Sequence, residues 1–370
     1  MKKISILALH LSHGGVEKAI CSLSNMLCND YDIEIACLYK GKVAFELNNK
    51  VKINYLMGNL KENRQEFIQS IKNFKFFRAF KEGLKSIKIL YFRRYKMIKY
   101  IKNCDSDYII STRIMFHKKL SKYGSSSSIK IAQEHRHHNN DLNYIKKLSK
   151  SLYNIDYLMP VSQELTDYYK ENLNVKCYYI PHCIDALPTQ KSNLKNKNII
   201  SVGRLSKEKG YSDMIDVMKI VLEKRPDWHL DIVGDGKEYL NIKNKIGDLN
   251  ITLHGFQNKD YINKLYLNSS IFCMTSFSES FGIVAIEAES YGLPCVAFES
   301  ASGFKEIINS QNGFLIENRN KNLMAEKIIN LIDDVDLRKN LGKNAIENSK
   351  KYSFDCIKEK WLDFLKKIGE

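Results

Sequence analysis

The sequence lacks any apolar run of the roughly 18 to 20 residues that a membrane-spanning helix requires. Its longer hydrophobic stretches are each interrupted by Lys, Asp or Gly. The first ten residues place two lysines before an apolar run, but that run is shorter than a signal-peptide core and no small-residue cleavage site follows it. We therefore interpret this segment as a first β-strand and expect a soluble, cytoplasmic protein.

The sequence also lacks any pair of cysteines with the C-x-x-C spacing of redox or zinc sites. Its nine cysteines mostly lie in apolar surroundings, which is typical of reduced structural thiols. Acidic residues are in deficit, since 58 Lys and Arg outnumber 42 Asp and Glu for a net charge of +16. That charge favours anionic partners such as phosphate groups, nucleic acid or an acidic membrane surface, and by itself it does not choose among them.

The length of 370 residues exceeds what one core usually serves, since compact domains mostly have roughly 100 to 200 residues. Short β-branched runs alternate with helical patterns in both halves, and the polar stretch 187–193 separates the halves. We predict an α/β fold of two Rossmann-like, doubly wound domains, residues 1–185 and 186–351, facing a central cleft. The predicted strands of the first half are Ile4–Leu9, Ile33–Tyr39, Tyr108–Ser111, Ile129–Gln133, Tyr157–Val161 and Tyr178–Ile180.

The segment 61–102 departs from this alternation. Thirteen Lys or Arg residues accompany only three Glu there, for a net charge of about +10, and nine aromatic residues are interleaved with them. The spacing is helical, and a basic helix rich in aromatic residues can lie on an anionic bilayer. A solvated surface helix packed on the first domain explains the pattern equally well, so both interpretations stay open.

A Gly-rich turn follows the first predicted strand. Gly14 and Gly15 allow a tight turn and a close approach to a ligand, and the helix that follows presents its N-terminus to a phosphate. The segment does not match the G-x-G-x-x-G fingerprint, so a dinucleotide site is weakly supported. A simple strand-to-helix turn is the alternative.

The second domain places two cations after a predicted strand. Arg204 follows the strand directly and Lys209 comes about one turn later, so that a planar fork and a point charge could clamp a diphosphate. Glycine-bearing turns at Gly234, Gly236 and before Phe256 should lie at the same edge of the sheet. Together these turns outline a nucleotide pocket.

The strongest pattern is a pair of carboxylates eight residues apart, Glu279 in a loop and Glu287 about two turns into a helix that we expect to start near Phe281. The free N–H groups at that helix start would favour a pyrophosphate or the polar face of a sugar. In that case Glu279 would hold sugar hydroxyls and Glu287 a ribose. The alternative is a helix-capping Glu279 and a solvated Glu287.

These motifs resemble the family 4 retaining glycosyltransferases, which have the GT-B fold. The residues that carry the likeness are Gly14-Gly15-x-Glu17, Val202-Gly203-Arg204-Leu205 with Lys209-Gly210, Gly234-Asp235-Gly236, and Glu279 to Glu287. The likeness spans nearly the whole chain. It is densest between Ile199 and Ile316 and thin between Lys40 and Asp105, where acceptor-binding segments vary most in such enzymes.

The resemblance implies a role for each matching residue. Arg204 and Lys209 would neutralise the donor diphosphate without a metal ion, and Glu279 would bind the transferred sugar. The Gly14-Gly15 loop would close over the phosphates, with acceptor contacts at His13 and Glu17. The remaining donor contacts are assigned to Gly203, Gly234, Gly236, Phe256, Ser280, Phe281, Gly282, Ile283 and Glu287.

A histidine after a strand of the first domain is a further candidate. His135 is similar to the family position whose His contacts the donor sugar near the reacting carbon, although a strand-end His is otherwise a neutral surface residue. Glu134, His137 and His138 lie beside it, but adjacent loop residues seldom supply tetrahedral metal geometry, so we expect no metal site.

The turn between the domains departs from the family pattern, and the C-terminal segment agrees with it. Relatives tend to carry Pro-Asn-Gly at the turn between domains, whereas this chain has Pro181-His182-Cys183-Ile184-Asp185. A turn without Gly puts the local backbone conformation in doubt. The last segment, 352–370, reads as an amphipathic helix that in resembling proteins packs back on the first domain.

We therefore expect a retaining transferase that moves a hexose or N-acetylhexosamine from a UDP-sugar to a lipid-linked or growing glycan in a bacterium. The nucleotide sugar is a co-substrate, and no other cofactor is expected. GDP-mannose-dependent transfer or sugar-nucleotide epimerisation would share the fold and the pocket. A nucleic-acid-binding protein fits the net charge but needs no Glu279 and Glu287 pair. Contact with the inner face of the cell membrane through 61–102 remains open.

Overall fold

The computed structural model describes residues 1–12, 14–57, 68–69, 71–299 and 302–370. His13, predicted to contact the acceptor, lies outside the described residues, as does 58–67 at the start of the predicted basic segment. The described chain forms two compact units. Unit 1 comprises Met1–Val161, Leu165–Tyr179 and Trp361–Glu370, and unit 2 comprises Ser162–Glu164 and Ile180–Lys360.

Unit 1 contains a seven-stranded sheet in the order β3-β2-β1-β4-β5-β6-β7, with every neighbouring pair parallel. The strands are β1 Lys3–Ala8, β2 Asp32–Cys37, β3 Lys52–Tyr55, β4 Tyr108–Ser111, β5 Ile129–Glu134, β6 Tyr157–Pro160 and β7 Lys176–Cys177. The helices are α1 Gly15–Leu27, α2 Phe76–Lys102, α3 Ile114–Tyr123, α4 Leu142–Ser149 and α5 Gln163–Asn172.

The predicted strand Tyr178–Ile180 is wrong, because the strand in that region is the two-residue β7 just before it. Its two residues pair with Tyr157 and Leu158 of β6. The ring of Tyr178 instead stacks on Phe364, with centroids 4.4 Å apart, so its apolar character serves packing and not a strand.

Unit 2 contains a six-stranded parallel sheet in the order β10-β9-β8-β11-β12-β13. Its strands are β8 Asn198–Val202, β9 His229–Val233, β10 Ile251–Leu253, β11 Ile271–Met274, β12 Cys295–Phe298 and β13 Gly313–Ile316. Its helices are α6 Tyr211–Lys224, α7 Tyr239–Ile246, α8 Lys259–Leu267, α9 Ile283–Ser290, α10 Lys321–Asp333 and α11 Val335–Lys350. Three-residue 3-10 turns lie at Lys207–Lys209, Ser302–Phe304 and Glu317–Arg319.

Both faces of the unit 2 sheet are covered by apolar side chains. In β8, Ile199 packs into the cluster with α6 and α10, while Ile200 packs into the opposite cluster with α9. Side chains alternate between the faces of a strand, and an all-parallel sheet is buried on both. This pattern confirms the predicted pair of doubly wound α/β domains.

The last helix, α12, extends from Phe354 to Gly369. Its final part from Trp361 onward belongs to unit 1, where the Leu365 carbonyl accepts a hydrogen bond of 2.9 Å from the Tyr108 hydroxyl. Trp361 and Phe364 are both buried. None of the helices that the structure describes has the length and hydropathy needed to cross a membrane.

Candidate active site

The predicted donor residues of unit 2 follow two neighbouring strands. β8 and β11 pair directly, with Ile199 opposite Ile271, and the strand order reverses between them. Open α/β sheets bind ligands beyond the carboxyl ends of the strands at such a switch point. The loop after β8 carries Arg204 and Lys209, and the loop after β11 carries Glu279.

Backbone contacts hold these two loops together. The N–H of Phe277 donates to the Glu208 carbonyl at 2.7 Å, and the Thr275 hydroxyl donates to the Gly210 carbonyl at 2.9 Å. Gly210 has a φ of +65°, and a Cβ at this position would overlap the carbonyl oxygen of Thr275. The left-handed backbone and the close approach therefore both require glycine here.

Lys209 and Glu279 form an ion pair between the two loops, from Nζ to Oε2. Their side chains are 18% and 16% exposed, so water screens the pair only in part. Removing one partner from such a pair leaves a poorly solvated charge, which is costly. The structure thus joins two residues, 70 apart in the sequence, that were predicted for different parts of the donor.

Arg204 lies in a different environment. Its side chain is 70% exposed, and its guanidinium is 3.2 Å from the Glu208 carboxylate, which is itself 66% exposed. Exposed pairs of this kind contribute roughly 0 to 1 kcal/mol. Arg204 can therefore turn toward an anionic ligand at little cost.

The helix after Glu279 begins two residues later than predicted. Helix α9 begins at Ile283, and Gly282 precedes it in the left-handed conformation with a φ of +97°. A Cβ at Gly282 would lie 2.7 Å from the ring of Phe304, so the turn also needs a glycine for space. Ser280 and Phe281 consequently belong to the loop, and the helix-start amides are those from Ile283 onward.

Glu287 lies in the second turn of α9 and is half-buried. Burial, and after it the Glu287 charge, raise the pKa of Tyr291, and the same two causes act on Tyr266. The rings of these two tyrosines stack, with centroids 5.3 Å apart. The N-cap of α9 is Gly282, so Glu279 does not cap this helix and that alternative is wrong.

The glycine-bearing turns of the neighbouring strands share this edge of the sheet, as predicted. Backbone hydrogen bonds join them, from Gly203 to Val233 (2.9 Å), from Leu205 to Asp235 (3.0 Å) and from Gly234 to Gly255 (2.9 Å). Gly236 packs directly on the Leu205 carbonyl. Phe256 follows the last turn with 64% of its surface exposed.

Arg319 is a residue of this site that sequence analysis missed. Its guanidinium donates to the carbonyls of Thr275 and Ser276, each at 2.9 Å, at the end of β11. It also lies 3.6 Å from the ring centroid of Phe277 and 4.5 Å from that of Phe298. These contacts fix the first residues of the loop that carries Glu279.

Asp213 is an ionic partner of Arg319. The carboxylate lies 2.5 Å from the Arg319 guanidinium and 2.8 Å from Lys321 Nζ. Burial opposes ionisation, yet the hydrogen bonds from Lys321 and Arg319 hold the pKa of Asp213 below its ordinary value. The loop is thus anchored by a charged network, and sequence spacing offers no sign of it.

The turn without glycine also contacts this loop. The ring of His182 meets that of Phe281 edge-on, with centroids 5.4 Å apart. Ile184 donates its backbone N–H to the Tyr352 carbonyl at 3.0 Å. None of residues 181–185 has a positive φ, so this turn does not need a glycine.

In unit 1 the Gly14-Gly15 loop follows β1 and leads into α1. Glu17 is 3% exposed, and its Oε1 accepts a hydrogen bond of 2.6 Å from the Arg113 guanidinium. The other carboxylate oxygen packs against Gly14. The structure therefore places Glu17 in a buried position against Gly14, paired with Arg113. Arg113, just after β4, is a second residue that was missed.

His135 directly follows β5 and is half-buried. Glu134 before it is 4% exposed and lies 3.8 Å from Nε2 of His117, which is fully buried. Nδ1 of His117 is 2.7 Å from the Ser111 hydroxyl. A buried polar chain from β4 through α3 thus supports the strand end that carries His135.

Among the described residues, no group of three or more His, Cys, Asp or Glu is arranged to hold a metal ion. The unit 2 residues Arg204, Lys209, Glu279, Gly282 and Glu287 come together around one switch point. Gly14, Glu17 and His135 lie in unit 1, at the corresponding edge of the other sheet.

Residues 186–348 match the family model of glycosyl transferases group 1. The chain is 27% identical to the amylovoran biosynthesis glycosyltransferase AmsD of Erwinia amylovora over 376 residues, covering 99% of this chain and 100% of that protein. It is 25% identical over 384 residues to a Campylobacter jejuni protein, with 100% and 99% covered. The latter is named GalNAc-alpha-(1->4)-GalNAc-alpha-(1->3)-diNAcBac-PP-undecaprenol alpha-1,4-N-acetyl-D-galactosaminyltransferase.

Among solved structures, a mutant of S. aureus TarM in complex with fondaparinux, alpha-GlcNAc-glycerol and UDP superposes with a TM-score of 0.77. The two sequences are 17% identical, and 98% of this chain and 99% of that chain are covered. At this identity the likeness concerns the fold, and it extends over both units.

Proposed function

Because this chain is a group 1 glycosyltransferase with the GT-B fold, we propose that it transfers a hexose or N-acetylhexosamine from a UDP-sugar to a lipid-linked or growing bacterial glycan. Transfer retains the anomeric configuration and needs no metal ion. The observation that carries the proposal is the ion pair of Lys209 and Glu279 at the switch point of unit 2.

The charges at this point suit a nucleoside diphosphate. Lys209 is shielded and held by Glu279, while exposed Arg204 can move to a second phosphate. The amides at the start of α9 add hydrogen-bond donors and the positive end of a helix dipole. Glu287 lies farther along the same helix, within reach of a ribose if the diphosphate occupies the helix start.

The reaction breaks the bond between the anomeric carbon and the β-phosphate oxygen and forms a bond from that carbon to the acceptor oxygen. The acceptor's proton goes to the departing diphosphate, on the same face of the sugar. Negative charge develops on that diphosphate, where Lys209 and the α9 amides are held in place to stabilise it and Arg204 moves in to add a second cation. Glu279 accepts hydrogen bonds from sugar hydroxyls.

The acceptor proposal draws on the relatives. The C. jejuni protein is named for an undecaprenol-linked acceptor and the E. amylovora protein for amylovoran biosynthesis. A lipid-linked acceptor is found at a membrane, and the basic segment 61–102 supports peripheral attachment to the inner face of the cell membrane.

Thermal shift with UDP and GDP tests the donor site. UDP should stabilise the wild-type protein, and Lys209→Ala and Arg204→Ala should each lose most of that shift and most transfer. Glu279→Gln should lose most transfer but keep the shift, because free UDP has no sugar hydroxyls to contact Glu279. Lys243→Ala removes the same charge from an exposed position on α7 and should behave as wild type. Stabilisation by GDP but not by UDP would show that the donor is a GDP-sugar. A wild-type thermal shift with UDP in folded Lys209→Ala would refute the diphosphate site.

Transfer from a panel of UDP-sugars to a pool of lipid-linked acceptors tests the chemistry. The product's anomeric proton coupling should equal that of the donor, and excess EDTA should leave the rate unchanged. An inverted product would contradict the same-face reaction. A rate abolished by EDTA and restored by a divalent cation would contradict metal independence.

A further inference from the structure

Helix α2 of unit 1 has two apolar faces, and among the residues that the structure describes only one of these faces is packed against the rest of the unit. Six apolar or aromatic side chains point outward and recur every three or four residues, so they form one stripe along the helix. They are Phe77 (85% exposed), Phe80 (66%), Leu84 (52%), Ile87 (65%), Tyr91 (66%) and Tyr95 (49%).

The opposite face of α2 packs on unit 1. Ile89, Met97 and Ile101 are buried in the core of that unit, together with residues of β4 and α3. The Tyr100 hydroxyl donates to Glu34 at 2.7 Å. At about 100° per residue, the outward stripe lies roughly opposite this buried face. Core packing therefore explains one face and leaves the stripe without a role.

Charge separates this stripe from an ordinary apolar surface. Helix α2 contains nine Lys or Arg residues and one acid, Glu82. Glu82 is mostly shielded, with 13% of its side chain exposed, and lies 3.7 Å from Lys85. Lys81, Lys85 and Lys88 are exposed and lie along one flank of the stripe. The exposed face is thus apolar at its centre and cationic at its edge.

We propose that this outward face of α2 docks on an anionic bilayer, with the stripe between Phe77 and Tyr95 inserted at the headgroup level. The stripe spans 19 residues, or about 27 Å of helix, and contiguous exposed apolar surface of this size marks an interaction site. Basic amphipathic helices bind in the interface plane through apolar insertion and attraction to anionic lipids.

A second copy of the chain is a poorer occupant of the same face. Two stripes facing each other would bring the flanking lysines of both copies together, and the shielded Glu82 offers little opposite charge. An anionic bilayer matches both the apolar centre and the cationic edge. The docking surface fits the membrane-borne acceptor of the proposed function, but lipid binding itself requires neither donor nor transfer.

Co-sedimentation of the full chain with vesicles tests the docking surface. We expect binding to phosphatidylcholine vesicles that contain phosphatidylglycerol, weak binding to pure phosphatidylcholine, and release by salt. Lys81→Gln/Lys85→Gln/Lys88→Gln should weaken binding roughly a hundredfold, since each lysine near an anionic surface contributes about 1 kcal/mol. Phe80→Ser/Ile87→Ser should weaken it by a similar factor.

Leu240→Ser is the matched control, since Leu240 is 69% exposed on α7 of unit 2 and its replacement should leave vesicle binding unchanged. Equal binding by the wild type and both α2 variants would overturn the proposal. So would a wild-type dimer in analytical ultracentrifugation that Phe80→Ser/Ile87→Ser converts to monomer. Retained UDP stabilisation in the α2 variants separates this result from failure of the donor site.

Discussion

Replacing Arg319 tests whether its contacts hold the loop that carries Glu279 in place. Arg319→Ala removes the hydrogen bonds to the carbonyls of Thr275 and Ser276, the ion pair with Asp213 and the stacking on Phe277. Charged hydrogen bonds contribute roughly 1.5 to 3 kcal/mol each, and a cation-π contact adds about 0.5 to 1 kcal/mol.

These contributions overlap, because one side chain makes them all and Asp213 keeps Lys321 as a partner. We therefore expect Arg319→Ala to lower the free energy of unfolding by roughly 2 to 4 kcal/mol, and Arg319→Lys by about half as much, since Lys lacks the planar fork. The loosened loop should lower kcat more than it raises KM for the donor.

Denaturant unfolding and steady-state transfer measure the two effects separately. Arg225→Ala is the control, because that arginine makes a surface pair with Asp333, their side chains being 36% and 45% exposed, and its loss should cost less than about 1 kcal/mol. Normal stability in Arg319→Ala would refute the anchoring argument. Reduced stability with an unchanged kcat below the melting range would refute the positioning of Glu279.

Three other substitutions give independent expectations. Gly210→Ala should destabilise unit 2 and abolish stabilisation by UDP, because the new Cβ overlaps the Thr275 carbonyl. Thermal melts with and without UDP measure both effects, and a wild-type response would contradict the expectation. Arg113→Ala should leave Glu17 buried without its cation and lower Tm, whereas Arg113→Lys keeps a cation and should lower Tm less. Burial raises the pKa of Glu289 well above its ordinary value. The folded state thus binds the Glu289 proton more tightly than the unfolded state does. As pH rises above 4.5, the free energy of unfolding of the wild type should therefore fall relative to that of Glu289→Gln, by at most about 1.4 kcal/mol per pH unit. Parallel stability profiles of the two proteins against pH would refute this expectation.

The alternation of strands and helices was predictable because it depends on local patterns. Apolar β-branched runs such as Ile199 to Val202 are buried on both faces of a parallel sheet, and they read as strands without any tertiary information. The same rule failed at Tyr178–Ile180. There the apolar character of Tyr178 reflects stacking on Phe364, a contact with a helix far along the chain.

The strand-end position of Arg204, Lys209 and Glu279 was also predictable, because parallel strands end at one edge of a sheet. Their pairing was not. The ion pair of Lys209 and Glu279 depends on the adjacency of β8 and β11, which the sequence order of the strands does not reveal. Arg319 was missed for the same reason, since its partners lie 43 and 44 residues away.

Arg113 is different, because a usable signal existed. It follows β4 with one residue between, and a cation at a strand end was treated as informative in the second half of the chain. Applied equally to the first half, that reasoning selects Arg113. It does not predict its partner, since Glu17 lies in the first turn of α1, which a sequence pattern would assign to solvent.

The pair of Lys209 and Glu279 constrains how a donor can bind. Without a donor each charge neutralises the other in a site only 18% and 16% exposed, so neither remains as an isolated, poorly solvated ion. A diphosphate bound at Lys209 can take the place of the Glu279 carboxylate as partner of the lysine. Glu279 then needs other hydrogen-bond donors. Sugar hydroxyls supply them, whereas free UDP does not. A complete nucleotide sugar should therefore compensate both charges, and UDP alone only the cation, which makes the same ion pair a basis for preferring the intact donor over the product.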